Sequence, residues 1–502
     1  MNTYPKNVKV DENNNKNIYK GIYGHRFHKD QTFYEYLIEF LLIFVSAKNN
    51  RNENEMEFHT LVEDGKKLEY YVKPRMGLRR FIFFERGMQS KNIPEDREAY
   101  EELCNILKEK IDGISDKDLF LEKIQDLLHG YAAVIKNRRW CEQMLLPVCP
   151  ELVFCEAMPD DKKRINNFKS EDKKTSGNKM KIVDSFEFKK HNFLARGGEV
   201  YYLHILQELE KREDKYRIEL EGKLKHFLCN DSKKISSIAN WIQDNWDLSC
   251  SDRDDKIVKL AMGYIPSDAY KESAKYTVDE LNTFLSNQLT PMNRIELLAC
   301  GINLQIMRMM SEATHKYMNK GKNCWIVDIS KEKEMRKIAV ANFDENIDMF
   351  MEAINKEYEN YMNENDINDR MEEIKLYNDG RKHIIDNFKA RGKELKVIIP
   401  SNGKYERFSL SEDVVKFLVL SIIEPNSKMT LDKFLEEIYN HYGFVIGPNE
   451  FAKCNKMDIS LKNYFLKNKE AFREFIKNIG FLKDLSDATA LVENPYQEVE
   501  NL

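Results

Sequence analysis

Asp214 followed by Glu221-Gly222-Lys223 is the stretch of this sequence that comes nearest to a catalytic motif, an Asp and then Glu-x-Lys. Carboxylate oxygens are the ligands that Mg²⁺ takes, and a neighbouring lysine offsets charge developing on a phosphoryl oxygen, so the pattern points to metal-dependent phosphodiester cleavage. The same residues also fit a charged helix over 212–227. With 84 acidic and 79 basic side chains in 502 residues, short matches of this kind arise by chance. Mg²⁺ is implied only under this nuclease alternative; otherwise no cofactor or metal is expected.

A second polar group, Arg196, Gly197, Gly198 and Glu199, leads into the apolar run Val200 to Leu209, which contains His204. Paired glycines permit backbone angles closed to other residues, and the apolar run predicts a helix with Glu199 in its first turn. Leu203, Leu206 and Leu209 would face inward, with Glu208, Glu210 and Lys211 toward water. This is a specified structural or functional loop that names no reaction.

Nine cysteines at irregular spacing read as free thiols in a reducing compartment, and the sequence between Met1 and Lys20 has no apolar leader-like core. The tightest group, Cys141, Cys149 and Cys155, lacks the paired spacing of a zinc site. His25 and His28 could share a face, without an identifiable third ligand. The phosphate-binding loop, dinucleotide fingerprint, zinc-protease helix and nucleophile elbow are all missing, which disfavours the common ATPases, dehydrogenases and hydrolases.

The elements that must position these residues are mainly helical. Hydrophobic content of 42% supports a large core, while 20 Gly and 12 Pro favour long helices over many-turned sheets. The run Tyr36 to Val45 predicts a buried helix, too short and too interrupted by Glu39 to cross a bilayer. Around Phe81 a short strand or a buried helix fits, with Arg79, Arg80 and Arg86 suited to phosphate or to carboxylates. Further helices are predicted near 100–107, 119–128, 276–285 and 291–310, where Met307, Met309 and Met310 read as a packed face. A net charge of −5 excludes a globally basic nucleic-acid binder but allows a local basic surface. The expected organisation is a flexible tail over 1–18, a mainly helical domain over 19–158, a basic linker or insertion over 159–190, a central helical domain over 191–400, and a module over 401–502.

That last module has the clearest pattern. A helix from Glu412 is followed by Thr430, suited to cap a second helix, then by a helix over 460–478 and a hairpin within 481–492. Three helices followed by a hairpin resemble a winged-helix module. The resemblance implies phosphate contacts from Lys462, Lys467, Lys469, Arg473 and Lys477 on the third helix, or docking of a protein. Glu470, Glu474 and the acidic end at Glu493, Glu498 and Glu500 weigh against DNA.

The fold class expected is mainly α, α+β overall: a multidomain helical body with a C-terminal winged-helix-like module. The expected role is a non-catalytic subunit or scaffold of a cytoplasmic nucleic-acid-processing or prokaryotic antiviral defence complex, with other protein subunits as partners. The alternatives are the metal-dependent nuclease and a sequence-nonspecific DNA- or RNA-binding protein. The defence context is not read from any chemical motif.

Overall fold

Helix Glu35–Val45 is buried along all eleven residues, as its nearly uninterrupted apolar sequence requires. It packs on helix Gly198–Leu209, itself buried along all twelve. Gly198 makes the approach possible: a Cβ there would lie 2.3 Å from Glu39 Cβ and 2.8 Å from the Tyr36 carbonyl oxygen. Gly197 has ordinary right-handed helical angles, φ −71° and ψ −25°. The glycine pair therefore serves close contact rather than the unusual backbone angles expected of it. Two carboxylates enter this apolar contact. Glu39 accepts from Gln31 Nε2 at 2.5 Å and from the Gly198 N–H, and Glu35 accepts from the Thr32 N–H. Each buried charge is thus met by N–H donors.

The structure is a computed structural model that describes residues 2–8, 18–24, 27, 31–48, 56–87, 94–134, 143–156, 197–230, 232–249, 257–364, 370–454, 459–486 and 489–499. The 159–190 linker, Arg196, His25, His28, Cys141 and Cys250 lie outside them. Among the described residues the chain is predominantly helical, with short strand pairs, one three-stranded sheet and no closed sheet. Part of the expected flexible tail is structural: Thr3–Tyr4 pairs antiparallel with Ile265–Pro266, and Tyr4, Val8 and Ile18 are buried. These few apolar residues are hidden in a polar stretch, which is why the sequence reads as a tail.

Around Phe81 the helix prevails, spanning Met76–Gly87. Arg79 and Arg80 turn inward: Arg79 pairs with Glu156 at 2.8 Å, and the Arg80 guanidinium lies 5.1 Å from the Trp246 ring centre. Helix Lys117–His129 follows, capped by Asp116.

The second half is built on helices Lys271–Leu285 and Pro291–Tyr317. Met307, Met309 and Met310 are wholly buried, so the methionine-rich face is core. Helix Glu412–Ile422 packs on both helices, and strand Trp325–Ile326 pairs in parallel with Phe444–Val445. Trp325 stacks on Phe408 with ring centres 5.0 Å apart. One apolar core runs from Tyr4 to Val492 and draws on residues on both sides of position 401. Cys324 and Cys454 form a disulfide, Cα to Cα 6.4 Å, which corrects the free-thiol expectation for these two, while Cys104, Cys149, Cys155, Cys229 and Cys300 are free as expected. They are 130 residues apart in sequence, and it is the parallel strand pairing beside Cys324 that brings them together.

From 412 onward the order is helix Glu412–Ile422, strand Lys428–Thr430, helix Leu431–Tyr442, the short helix Pro448–Lys453, helix Lys462–Asn478, and strands Leu482–Ser486 and Thr489–Glu493. The three strands of this region form an antiparallel sheet with the last strand in the middle. Thr430 caps its helix as expected, accepting from the Lys433 N–H at 3.2 Å. Gly443 ends that helix at φ 77°, left-handed, where a Cβ would also meet the Asn323 carbonyl oxygen at 2.3 Å.

Two glycine substitutions separate packing from helix propensity. Gly198→Ala should destabilise the protein by about 1–3 kcal/mol, because backbone atoms stand where the methyl would go. Gly222→Ala, mid-helix with nothing near its Cβ position, should stabilise it by about 0.5–1 kcal/mol. Denaturant midpoints of the two variants check both signs; a Gly198→Ala midpoint equal to wild type would refute the close-contact account.

Candidate functional site

The most densely bonded polar group in the interior centres on Glu280. Its carboxylate, with no exposed surface, accepts from Arg308 Nη1 at 2.8 Å, Gln305 Nε2 at 2.7 Å, His441 Nδ1 at 2.7 Å and the Tyr442 hydroxyl at 2.6 Å. Arg308 Nη2 also donates to Thr277 Oγ1 at 2.7 Å, and that hydroxyl lies 2.8 Å from His204 Nε2. Thr277 and Glu280 are three residues apart on one helix, and Gln305 and Arg308 three apart on the next, so each pair presents to one face. Helices 271–285, 291–317 and 431–442 therefore meet at a single carboxylate, and helix 198–209 joins them through His204 and Thr277.

Electrostatics fixes the charge states. Burial alone would raise the pKa of Glu280, but the Arg308 charge and the His441 hydrogen bond outweigh it and hold the carboxyl at about 2. Burial and the nearby Arg308 push His204 well below the ordinary histidine range, so its imidazole is neutral. Its role is to tie helix 198–209 to Thr277.

Above this cluster opens a cleft of about 630 Å³, lined by residues that include Arg308, Glu312, Tyr276, His441 and a set of lysines. Glu312 Oε1 accepts from the Ser273 N–H at 3.1 Å, while Oε2 is buried with no partner. Burial pushes the Glu312 carboxyl up to about 7. Such a group can carry a proton near neutrality or accept an N–H from a bound molecule. Lys271, Lys275, Lys316 and Lys320 line the same cleft and make no ion pair among the described residues. Lys322 is spent on the Asn440 carbonyl at 2.7 Å.

The proposed nuclease residues are not brought together. Asp214 is exposed in the first turn of helix Asp214–Cys229 and bonds Arg217 at 3.1 Å. Glu221 sits two turns further on, roughly 10 Å along the axis at 1.5 Å per residue. It is buried and accepts from the Phe58 N–H at 2.9 Å. Lys223 bonds Glu219 at 2.7 Å and Asn282 at 2.8 Å. The helix that the charge pattern also allowed is the one that forms, and it separates the three side chains. No group of three or more His, Cys, Asp or Glu among the described residues is placed to hold a metal ion.

Of the loop residues, Glu199 accepts from the Tyr70 hydroxyl at 3.1 Å and His204 joins the cluster. Glu208, expected in water, is buried and paired with Lys211 at 3.0 Å and Arg212 at 3.3 Å. On helix 462–478, Lys467 pairs with Glu332 at 2.9 Å, Lys469 with Asp432, and Arg473 with Glu470 at 3.5 Å. Lys462 and Lys477 are exposed at its two ends, and Leu466 between them is 43% exposed.

Sequence reading missed Glu280, Arg308, Glu312 and the lysine rim. The trace they left is Arg308 and Glu312 inside the apolar run of helix 291–317, since a charge there must find a partner or a cavity.

The raised pKa of Glu312 carries a sign. A folded-state value near 7 against an ordinary 4.5 means its contribution to stability is fully present below pH 4.5 and lost as pH rises through 7. Glu312→Gln removes that loss and keeps the acceptor for Ser273. The variant should gain about 1–3 kcal/mol on wild type between pH 5 and pH 8, discounted for partial solvent access. Denaturation at the two pH values measures it; an unchanged difference would show that Glu312 is not buried as described.

Comparison with curated proteins and with solved structures returns no match. The family described as "Methylation-associated defense system protein MAD7" matches residues 271–496, under half of the chain. The match begins at the first residue of helix 271–285 and takes in Glu280, Arg308, Glu312, the lysines of the rim from Lys271 onward and the sheet formed by the last strands. Over that segment the chain is similar to a family of methylation-associated defense system proteins.

Proposed function

We propose that this chain is a non-catalytic subunit of a prokaryotic, cytoplasmic antiviral defence assembly, and that its C-terminal region docks a partner protein. The observation that carries the reading is the match of residues 271–496 to a defence-system family. The architecture of that segment supports it. Helix, strand, three helices of which the middle one is short, and two strands, with the last strand central in the sheet, resembles the order of a winged-helix module with an added short helix; such modules dock either nucleic acid or protein. The chemistry of helix 462–478 favours protein. Lys467, Lys469 and Arg473 are answered by carboxylates, and its exposed face mixes Lys462 and Lys467 with Glu470, Glu474 and the open Leu466. A phosphate backbone is bound by unanswered positive charge, whereas a mixed face around an apolar side chain suits a protein. The dispersal of Asp214, Glu221 and Lys223 removes the geometric basis for the nuclease alternative. No helix among the described residues is long and apolar enough to cross a membrane.

Affinity purification of the tagged chain from a host expressing it with its neighbouring genes, under nuclease treatment, tests this. A stoichiometric protein partner should survive the nuclease, and Leu466→Glu should reduce its recovery at least tenfold while leaving the fold intact. Recovery of the chain alone, or of nucleic acid lost on substituting Lys462 and Lys467, would overturn docking in favour of direct nucleic-acid binding.

A further inference from the structure

The cleft above the Glu280 cluster holds positive charge that the protein itself does not answer. Of the seven Lys or Arg that line it, Arg308 is paired with Glu280 and Lys211 with Glu208, while Asp268, Glu272 and Glu312 line it beside the others. On helix 462–478 most cations have carboxylate partners, but Lys271, Lys275, Lys316 and Lys320 have none among the described residues. The walls also carry two unmet hydrogen-bonding atoms of opposite kind. Arg308, 2% exposed, has a buried Nε donor without a partner, and Glu312 has a buried Oε2 acceptor without one. A buried polar atom left unpaired costs about 1–3 kcal/mol, so a bound molecule that satisfies both gains from each. Tyr276, its ring centre 4.1 Å from that of His441, adds an aromatic wall. The volume, about 630 Å³, is that of a small-molecule pocket.

We propose that this cleft binds a nucleotide, with its phosphates on the rim formed by Lys271, Lys275, Lys316 and Lys320 and a base N–H donated to Glu312 Oε2. An inorganic anion held on the lysine rim has only its own short O–H groups to offer a carboxylate acceptor, whereas a nucleotide carries base N–H donors several bonds away from its phosphates and can span the two. The rim chemistry is the same for the phosphates of a free nucleotide and for the terminal phosphate of a strand, and the titration separates the two. The inference stands apart from the docking role and does not depend on it.

Calorimetric titration of the full chain with ATP, GTP, pyrophosphate, adenosine, and a short DNA oligonucleotide with and without a 5′-phosphate tests the assignment. ATP or GTP should bind and adenosine should not. If only the 5′-phosphorylated oligonucleotide binds, the phosphate comes from a strand end and the site stands. Lys316→Glu/Lys320→Glu should weaken binding at least tenfold, with Lys375→Glu, exposed on helix Arg370–Arg381 and outside the cleft, as an unaffected control. Glu312→Gln is the sharper variant: it should weaken nucleotide or strand-end binding and leave pyrophosphate unchanged, whereas plain charge attraction would make every phosphate bind more tightly. Absence of binding by every phosphate ligand, indifference to the double lysine substitution, or general tightening in Glu312→Gln would each overturn the proposal.

Discussion

The pairing of Glu280 with Arg308 is the constraint on which the rest of the second half depends. Two charges removed from water are tolerable only where close pairing and additional hydrogen bonds offset the lost hydration, and here four donors converge on one carboxylate. Removing either charge alone would leave the other uncompensated, a cost of about 3–5 kcal/mol. Because the carboxyl is held at about 2 against an ordinary 4.5, the stability it contributes is fully present above pH 4.5 and is lost as pH falls toward 2. The donors come from helices far apart in sequence. The cluster therefore fixes how helix 431–442 sits on helices 271–285 and 291–317, and through Thr277 and His204 how both sit on helix 198–209.

The same arrangement separates two kinds of surface. On helix 462–478 most cations are consumed by neighbouring carboxylates, which leaves a mixed face with an open leucine. Around the cleft Lys271, Lys275, Lys316 and Lys320 make no ion pair among the described residues, while Glu280 beneath it is saturated by Arg308, His441, Tyr442 and Gln305. Glu312, one turn beyond Arg308, is buried beside that spent arginine and keeps an oxygen unmet. The proposed docking face and the proposed ligand cleft thus fall on different elements of the family-matched segment.

Elements with strong periodicity were legible in the sequence. The buried helix at 35–45, the long helix from Pro291 with its packed methionines, the Thr430 cap and the terminal hairpin follow from local pattern and appear as expected. Interactions closed by tertiary contact were not. Nothing near Cys324 announces Cys454, and Tyr4 and Val8 look like tail residues until Thr3–Tyr4 pairs with Ile265–Pro266. The glycine pair was recognised as special for the wrong reason, since a clash with a neighbouring helix leaves no mark in a single chain's local sequence. The candidate site was the least legible: Glu280, Arg308 and His441 are ordinary charged residues until three helices align them, while Asp214, Glu221 and Lys223 looked like a motif and are dispersed by the helix that carries them.

Native-state hydrogen exchange tests most directly the claim that the Glu280 cluster makes the residues before and after position 401 one cooperative unit. The account predicts that the slowest amides of helices 198–209 and 431–442 open at the same free energy, and that Glu280→Gln lowers both together. Protection retained across 412–493 while helix 198–209 exchanges freely would contradict it, and would make the C-terminal region an independent domain resting on the body.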